Sequence, residues 1–274
     1  MDFEAPIAAG IVNVTHDSMF EGARSGTPEQ AVADGVALVE AGFDMLDVGA
    51  VAARSGPPVE PAEEAAKLVP AVSGLVAAVD VPVSADTFSA DVAAQALDAG
   101  AAAINDIGGG SPEMLELVAE RGCGYVLMHI EGPPREDREP PRHADVVAHL
   151  KEWFAGRLEG ATAAGVDEEQ IVIDPGLDFD LSVEDDLQIL RRLDELRSLG
   201  RPIFMSLSRK DFLGAVLGGS WADRVGPGRR EWATAAATAL AATGGAQIHR
   251  LHDASALQAL RVTAAVRGGG KPAQ

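Results

Sequence analysis

The chain is short of several things, and each shortage excludes something. It has a single cysteine, Cys123, so no internal disulfide can form. That cysteine lies in an apolar run, where a small buried core residue is expected and a nucleophile is not. Basic residues are scarce: 22 Lys and Arg stand against 42 Asp and Glu, a formal net charge of −20. Such a balance repels nucleic-acid phosphates and anionic membranes, so neither is expected as a partner. Any anionic substrate must then meet a local basic cluster. No apolar run reaches the roughly 18 residues needed to span a bilayer. Residues 1–6 carry two acids and no basic region of the kind that opens a secretory leader, so a soluble, cytoplasmic protein is expected. A Rossmann glycine fingerprint is missing after the first apolar segment, which runs Asn13, Val14, Thr15, His16. Nothing between residues 7 and 266 reads as an interdomain linker.

What is present is alternation. Short β-rich apolar runs at 7–13, 45–48, 83–86, 103–106, 125–129, 171–174, 203–206 and 246–250 alternate with Ala/Leu/Val segments of helical spacing. The helices are expected at 29–41, 62–79, 90–99, 112–121, 144–164, 183–199, 229–243 and 254–266. Several end in glycine, at Gly42, Gly100, Gly122, Gly165, Gly200 and Gly244, where a left-handed C-cap forms most easily. Eight βα rounds in 274 residues favour closure into an α/β fold of the (β/α)8 barrel type over an open doubly wound sheet. The barrel is expected to span 1–267 as one domain, followed by a flexible tail at 268–274 rich in glycine. The stretch 130–143, rich in Pro, Arg and Glu, is long enough to be a surface loop.

Nearly every expected strand ends in a polar or ionisable residue: Asn13, Asp47, Asp86 with Thr87, Asn105 with Asp106, His129, Asp174, the run Ser208, Arg209, Lys210, and Arg250 with His252. In a β/α barrel that rim is where side chains from different strands converge on a site. For any one of them a helix cap or turn is a sufficient explanation. Asp47 and Asp106, each before a glycine-containing turn, are balanced between turn-making and ligand contact. Asp86 and Asn105 lie inside apolar runs and need partners, because burying such a group unpaired costs about 1–3 kcal/mol or more. His16 and His143 are expected at the surface, and Trp153 and Trp232 as packing residues. Asp86, Asp174 and Asn105 together suit the edge of an aminopyrimidine ring with adjacent N–H groups and a ring carbonyl. Arg54, Lys210, Arg250 and His252 supply cations for a phosphorylated tail.

The runs Gly10-Ile-Val-Asn-Val-Thr15, Asp17-Ser18, Ser84-Ala-Asp-Thr87, Ile104-Asn-Asp-Ile107, Leu127-Met-His129, Asp174-Pro-Gly176, Ser208-Arg-Lys210 and Arg250-Leu-His-Asp253 occur in this order. Together they resemble the dihydropteroate synthase family over residues 7–266. The resemblance implies that Asp86, Asn105, Asp174 and Lys210 hold a pterin ring, with Met128 packing beside it. It also implies that Asn13, Arg54, Arg250 and His252 meet a diphosphate, with Mg²⁺ at Asn13. The implied reaction is displacement of diphosphate from 6-hydroxymethyl-7,8-dihydropterin diphosphate by the amine of 4-aminobenzoate, with Lys210, Asp86 and Arg250 as the catalytic set. A homodimer is expected, as is usual for barrels of this kind.

The departures from the family pattern are specific. His16 and Met19 replace a proline and a phenylalanine. After the second strand, Asp47-Val-Gly-Ala-Val-Ala-Ala-Arg-Ser-Gly56 keeps Arg54 but lacks the family's Glu, Ser, Thr and Pro, leaving Ala53 and Ser55 beside it. Asp174-Pro-Gly-Leu-Asp-Phe-Asp-Leu181 carries Asp178 and Asp180 in place of two glycines, and Asp211 stands where a serine follows Ser-Arg-Lys. Asp211 is expected to repel a benzoate carboxylate unless Arg209, Lys210 or a helix N-terminus neutralises it. These changes raise two alternatives: a pterin-binding homologue silent on 4-aminobenzoate, and a methyltetrahydrofolate-binding methyltransferase barrel. Arg54, Ser208-Arg-Lys210 and Arg250 with His252 count against the second, which needs no diphosphate clamp.

Overall fold

The structure is a computed structural model that describes residues 5–14, 25–52, 56, 58–136, 140–252 and 254–268. Its eight strands are β1 (Ile7–Asn13), β2 (Met45–Gly49), β3 (Val83–Asp86), β4 (Ala103–Asp106), β5 (Gly124–Met128), β6 (Ile171–Asp174), β7 (Phe204–Ser206) and β8 (Ile248–Leu251). They pair in parallel in the order β6-β5-β4-β3-β2-β1-β8-β7, and a parallel bridge between Ile173 and Ile203 joins the two ends. The sheet therefore closes, as the count of βα rounds predicts. Burial on both faces of each strand explains the near-continuous apolar character. Ala9, Val126, Val172, Phe204 and Ile248 meet inside the barrel, and a larger cluster fills the layer between barrel and helices.

The helices among the described residues are α1 (Pro28–Glu40), α2 (Pro61–Ala78), α3 (Ala90–Asp98), α4 (Pro112–Arg121), α5 (Val146–Ala163), α6 (Val183–Arg191), α7 (Asp211–Gly218), α8 (Glu231–Gly244) and α9 (Ala254–Val266). Side-chain caps start many of them: Ser89 accepts from Val92 N, Ser111 from Met114 N and Asp145 from Ala148 N. The helix expected at 183–199 is split, its second half tightening into a 3₁₀ turn at Leu193–Leu199. The last expected glycine cap is shifted by one residue, since Gly245 (φ 99°) and not Gly244 takes the left-handed conformation. At Gly35 a Cβ would lie 2.3 Å from a Leu75 methyl, so any larger residue there would force that side chain to shift where α1 meets α2.

One helix goes beyond the sequence expectation. α7 is an extra element between β7 and α8, and it places Lys210 as the residue just before its first turn. The packing expected of Trp232 does not hold: its side chain is 80 % exposed, on the first turn of α8.

Candidate active site

Strand register brings the rim residues together. Asp86 on β3 pairs with Asn105 on β4 and with Gly49 on β2; Met128 on β5 pairs with Asp174 on β6; Arg250 on β8 pairs with Ala9 on β1 and with Ser206 on β7. Asn13 ends β1 opposite Gly49. The β-segments thus deliver Asp86, Asn105, Asp174 and Arg250 to one end of the barrel, and the turn after β7 delivers Lys210.

The centre of this set is a residue that the sequence reading left balanced. Asp47 is fully buried and accepts from Ser84 Oγ (2.6 Å), Asn105 Nδ2 (3.0 Å) and Arg250 Nε (2.5 Å). The other arm of Arg250, Nη2, reaches Asp86 Oδ2 at 2.7 Å. One guanidinium therefore bridges two carboxylates, and Asp47 orients both the arginine and the asparagine. Asp106, balanced in the same way, proves to be a turn-maker: its carboxylate accepts from Gly108 N, Gly110 N and the Tyr125 hydroxyl. Adjacent residues on β4 point to opposite faces, so Asn105 faces the barrel axis side while Asp106 ties down the loop behind it.

Two features mark this cluster as made for a ligand. Asn105 donates its amide N–H to Asp47, yet its Oδ1 is buried with no partner among the described residues, an uncompensated acceptor. The acids are also held away from their ordinary state. Burial pushes Asp86 up to about 7 against the pull of Arg250, helped by the nearby carboxylates of Asp47 and Glu64. Burial likewise pushes Asp174 up to about 6, although Gly176 N donates to it at 2.8 Å. Lys210 is lowered by burial, a shift opposed by Asp178 and Asp174. Its Nζ donates to Leu177 O at 2.9 Å and sits 4.5 Å from the centre of the Phe179 ring. Met128, Ile107, Ile130, Phe88 and Phe179 form an apolar wall next to these polar groups.

Of the expected anion-binding residues, Arg54 lies outside the described residues, as do His16, Met19, Ala53 and Ser55. Asn13 is half-buried at the end of β1. His252 is tied to the Ser-Arg-Lys turn, with both its backbone N and Nδ1 at Ser208 Oγ (3.2 and 2.8 Å). Arg250, expected to meet an anion, has its Nε and Nη2 engaged by the carboxylates of Asp47 and Asp86.

The flanking loops show how two departures are accommodated. Asp178 (φ 67°) and Asp180 (φ 59°) occupy left-handed positions that suit the glycines they replace. The Asp178 carboxylate accepts from the backbone N–H of Asp211 and of Phe212 (2.9 Å to the latter), capping α7 from a distant loop. Asp211 turns away from repulsion: Arg230 Nη1, on a side chain only 2 % exposed, meets its Oδ1 at 2.7 Å, and Arg224 Nε lies at 3.4 Å. The neutralising cations are thus Arg230 and Arg224, not the Arg209 or Lys210 considered from the sequence. His143, expected at the surface, instead packs its side chain against Glu131 with 8 % exposure.

Residues 9–252 match the family of pterin binding enzymes. The chain is 42 % identical to the dihydropteroate synthase of Mycobacterium leprae over 267 residues, 95 % of this chain and 94 % of that one. It is also 38 % identical over 282 residues, covering 97 % and 94 %, to a second M. leprae protein named inactive dihydropteroate synthase 2. Among solved structures, Xanthomonas albilineans dihydropteroate synthase with 4-aminobenzoic acid superposes with a TM-score of 0.86 at 38 % identity, covering 96 % of this chain and 93 % of that chain.

Proposed function

The chain belongs to the pterin binding enzyme family, and from that premise we propose that it is the transferase of folate biosynthesis that joins 6-hydroxymethyl-7,8-dihydropterin diphosphate to 4-aminobenzoate. The single observation that carries the reading is the orphaned Asn105 Oδ1 set among Asp86, Asp174 and Arg250. A pterin edge presents adjacent N–H donors and a carbonyl acceptor, which Asp86, Asp174, Asn105 Oδ1 and the Lys210 ammonium complement, while Met128 packs against the ring face.

In the reaction the aminobenzoate nitrogen bonds to the pterin methylene carbon, the carbon–oxygen bond to diphosphate breaks, and the amine proton is lost to solvent. Little proton transfer by the protein is needed, so its contribution is positioning and charge stabilisation. Lys210 and Asp86 hold the ring as positive charge develops on the methylene carbon. Arg250, Arg54 and His252 meet the anionic tail. Asn13 would hold Mg²⁺ through its amide oxygen, a hard donor of the kind that ion prefers. When bound, the ion would neutralise the departing diphosphate.

Exposed apolar side chains on the last three helices and the turn after α7 (Val216, Leu217, Trp221, Trp232, Leu240, Val262) support a homodimer formed on that side of the barrel. Among the described residues no helix is long and apolar enough to cross a membrane. A second reading, a pterin binder silent on 4-aminobenzoate, is favoured by the loss of the Glu, Ser, Thr and Pro around Arg54 and by the likeness to the inactive M. leprae protein.

Steady-state assay of the purified protein with the pterin diphosphate, Mg²⁺ and 4-aminobenzoate separates the two. Release of diphosphate that depends on 4-aminobenzoate supports the synthase; pterin diphosphate binding by calorimetry without turnover supports the silent homologue.

A further inference from the structure

Behind the ring site, three histidines and a glutamate converge that the proposed reaction does not use. His129 follows β5 directly, Glu131 and His143 lie near the two ends of the β5–α5 loop, and His149 is on the first turn of α5. All three imidazoles direct Nε2 at one carboxylate oxygen: Glu131 Oε1 is 3.1 Å from His129 Nε2, 2.7 Å from His149 Nε2 and 3.5 Å from His143 Nε2. The donor atoms of His129, Glu131 and His149 all lie within 4.8 Å of one another. Three imidazoles are more than a single carboxylate oxygen satisfies well. The surplus shows at His143 Nε2, which is buried and has no hydrogen-bond partner among the described residues. The ring centroids of His143 and His149 lie 4.3 Å apart at an interplanar angle of 34°.

We propose that His129, Glu131, His143 and His149 bind a divalent transition-metal ion of the zinc type, which staples the two ends of the β5–α5 loop beside the pterin-facing wall. A tetrahedral ion with bonds of about 2.0–2.1 Å needs its donors about 3.4 Å apart. The three imidazole nitrogens stand 2.7–3.5 Å from Glu131 Oε1. His129, Glu131 and His149 already form a group within 4.8 Å, and His143, outside that group, would close in as the fourth ligand. The donor set is rich in imidazole, so it selects zinc, cobalt, nickel or copper over Mg²⁺, which prefers oxygen. This site is therefore distinct from the one at Asn13. Four protein ligands leave no open position, so the ion is structural. Because His129 lies in the chain between Met128 and Ile130 of the apolar wall, the ion would couple loop order to that wall. The inference does not depend on which reaction the rim catalyses.

The test uses the full-length protein, stripped with a chelator and titrated with Co²⁺ as a spectroscopic stand-in for Zn²⁺. The expected result is one equivalent bound with the visible bands of tetrahedral cobalt, displaced by Zn²⁺, and a higher melting temperature for the zinc form. His143→Ala and Glu131→Gln should each weaken binding by at least about 100-fold, beyond the loss that outer partners cause. Should either variant fail to fold, His149→Cys retains a suitable ligand and keeps metal binding with a shifted cobalt spectrum. No tetrahedral spectrum in the wild-type protein, or one unchanged in His143→Ala and Glu131→Gln, overturns the proposal. Mg²⁺ competing as well as Zn²⁺ does so too.

Discussion

The cluster proposed to hold the ring and the loops that flank it both carry unusual charge, but they settle it differently. Around Asp86, Asn105 and Asp174 burial raises the acids toward neutrality, and one amide oxygen has nothing to accept from among the described residues. Around Asp178 and Asp211 the two substituted carboxylates find partners within the protein: one caps α7 and the other meets Arg230 and Arg224. The first region leaves an acceptor open toward the cluster, whereas the carboxylates of Asp178 and Asp211 in the second are both engaged. A departure from a family pattern is thus not evidence of lost function when the new side chain builds its own partners. An orphaned acceptor at a matched position is evidence of a retained one.

The largest effect expected from breaking this contrast lies on the ring side. Asp174→Asn or Asp86→Asn should weaken pterin diphosphate binding by about 100-fold, the worth of a charged hydrogen bond, while the melting temperature stays near wild type. Calorimetry with a thermal melt checks both; a collapsed melt with unchanged affinity would reverse the assignment of the two regions. Next in size is the cap. Asp178→Ala removes two acceptors from α7 and leaves a β-carbon at positive φ, a loss of about 2 kcal/mol that should lower the melting temperature by several degrees. Asp211→Ser should cost less, about 1 kcal/mol, because Arg230 keeps backbone acceptors at Val225 and Arg209. It should also leave the KM for 4-aminobenzoate almost unchanged; a marked fall in KM would show that the Asp211 charge does repel the second substrate.

The smallest effect is in pH dependence. A ring N–H needs an ionised acceptor, so pterin affinity should rise between about pH 5 and about pH 8 as Asp174 and Asp86, raised to about 6 and about 7, lose their protons. Stability of the ligand-free protein should run the other way. A carboxyl raised on folding favours the folded state at low pH, and that contribution is lost as pH rises through the folded value. Calorimetry in buffers of different ionisation enthalpy should show proton release on pterin binding near pH 6. Affinity that falls with rising pH would contradict the acceptor role.

The barrel was legible because apolar runs alternate with helical segments that often stop at glycine, and because strand ends carry polar residues in order. Asp86, Asn105 and Asp174 could be singled out since each interrupts or ends an apolar strand. Asp47 could not be separated from Asp106, because both precede glycines and only the register shows which one faces Arg250. α7 escaped notice because its N-terminal cap, Asp178, lies 33 residues upstream of Asp211 in the chain and leaves no local signature. The histidine cluster was invisible for a similar reason: His143 and His149 return to His129 only when the loop after β5 folds back, and composition alone made His143 look like a surface residue.

A crystal structure with the pterin diphosphate bound tests the central claim most directly. The account predicts ring nitrogens within hydrogen-bond distance of Asn105 Oδ1 and of the Asp86 and Asp174 carboxylates, with Lys210 at the ring and the diphosphate toward Asn13 and His252. A pterin bound elsewhere on the barrel, with Asn105 Oδ1 still unpartnered, would contradict it.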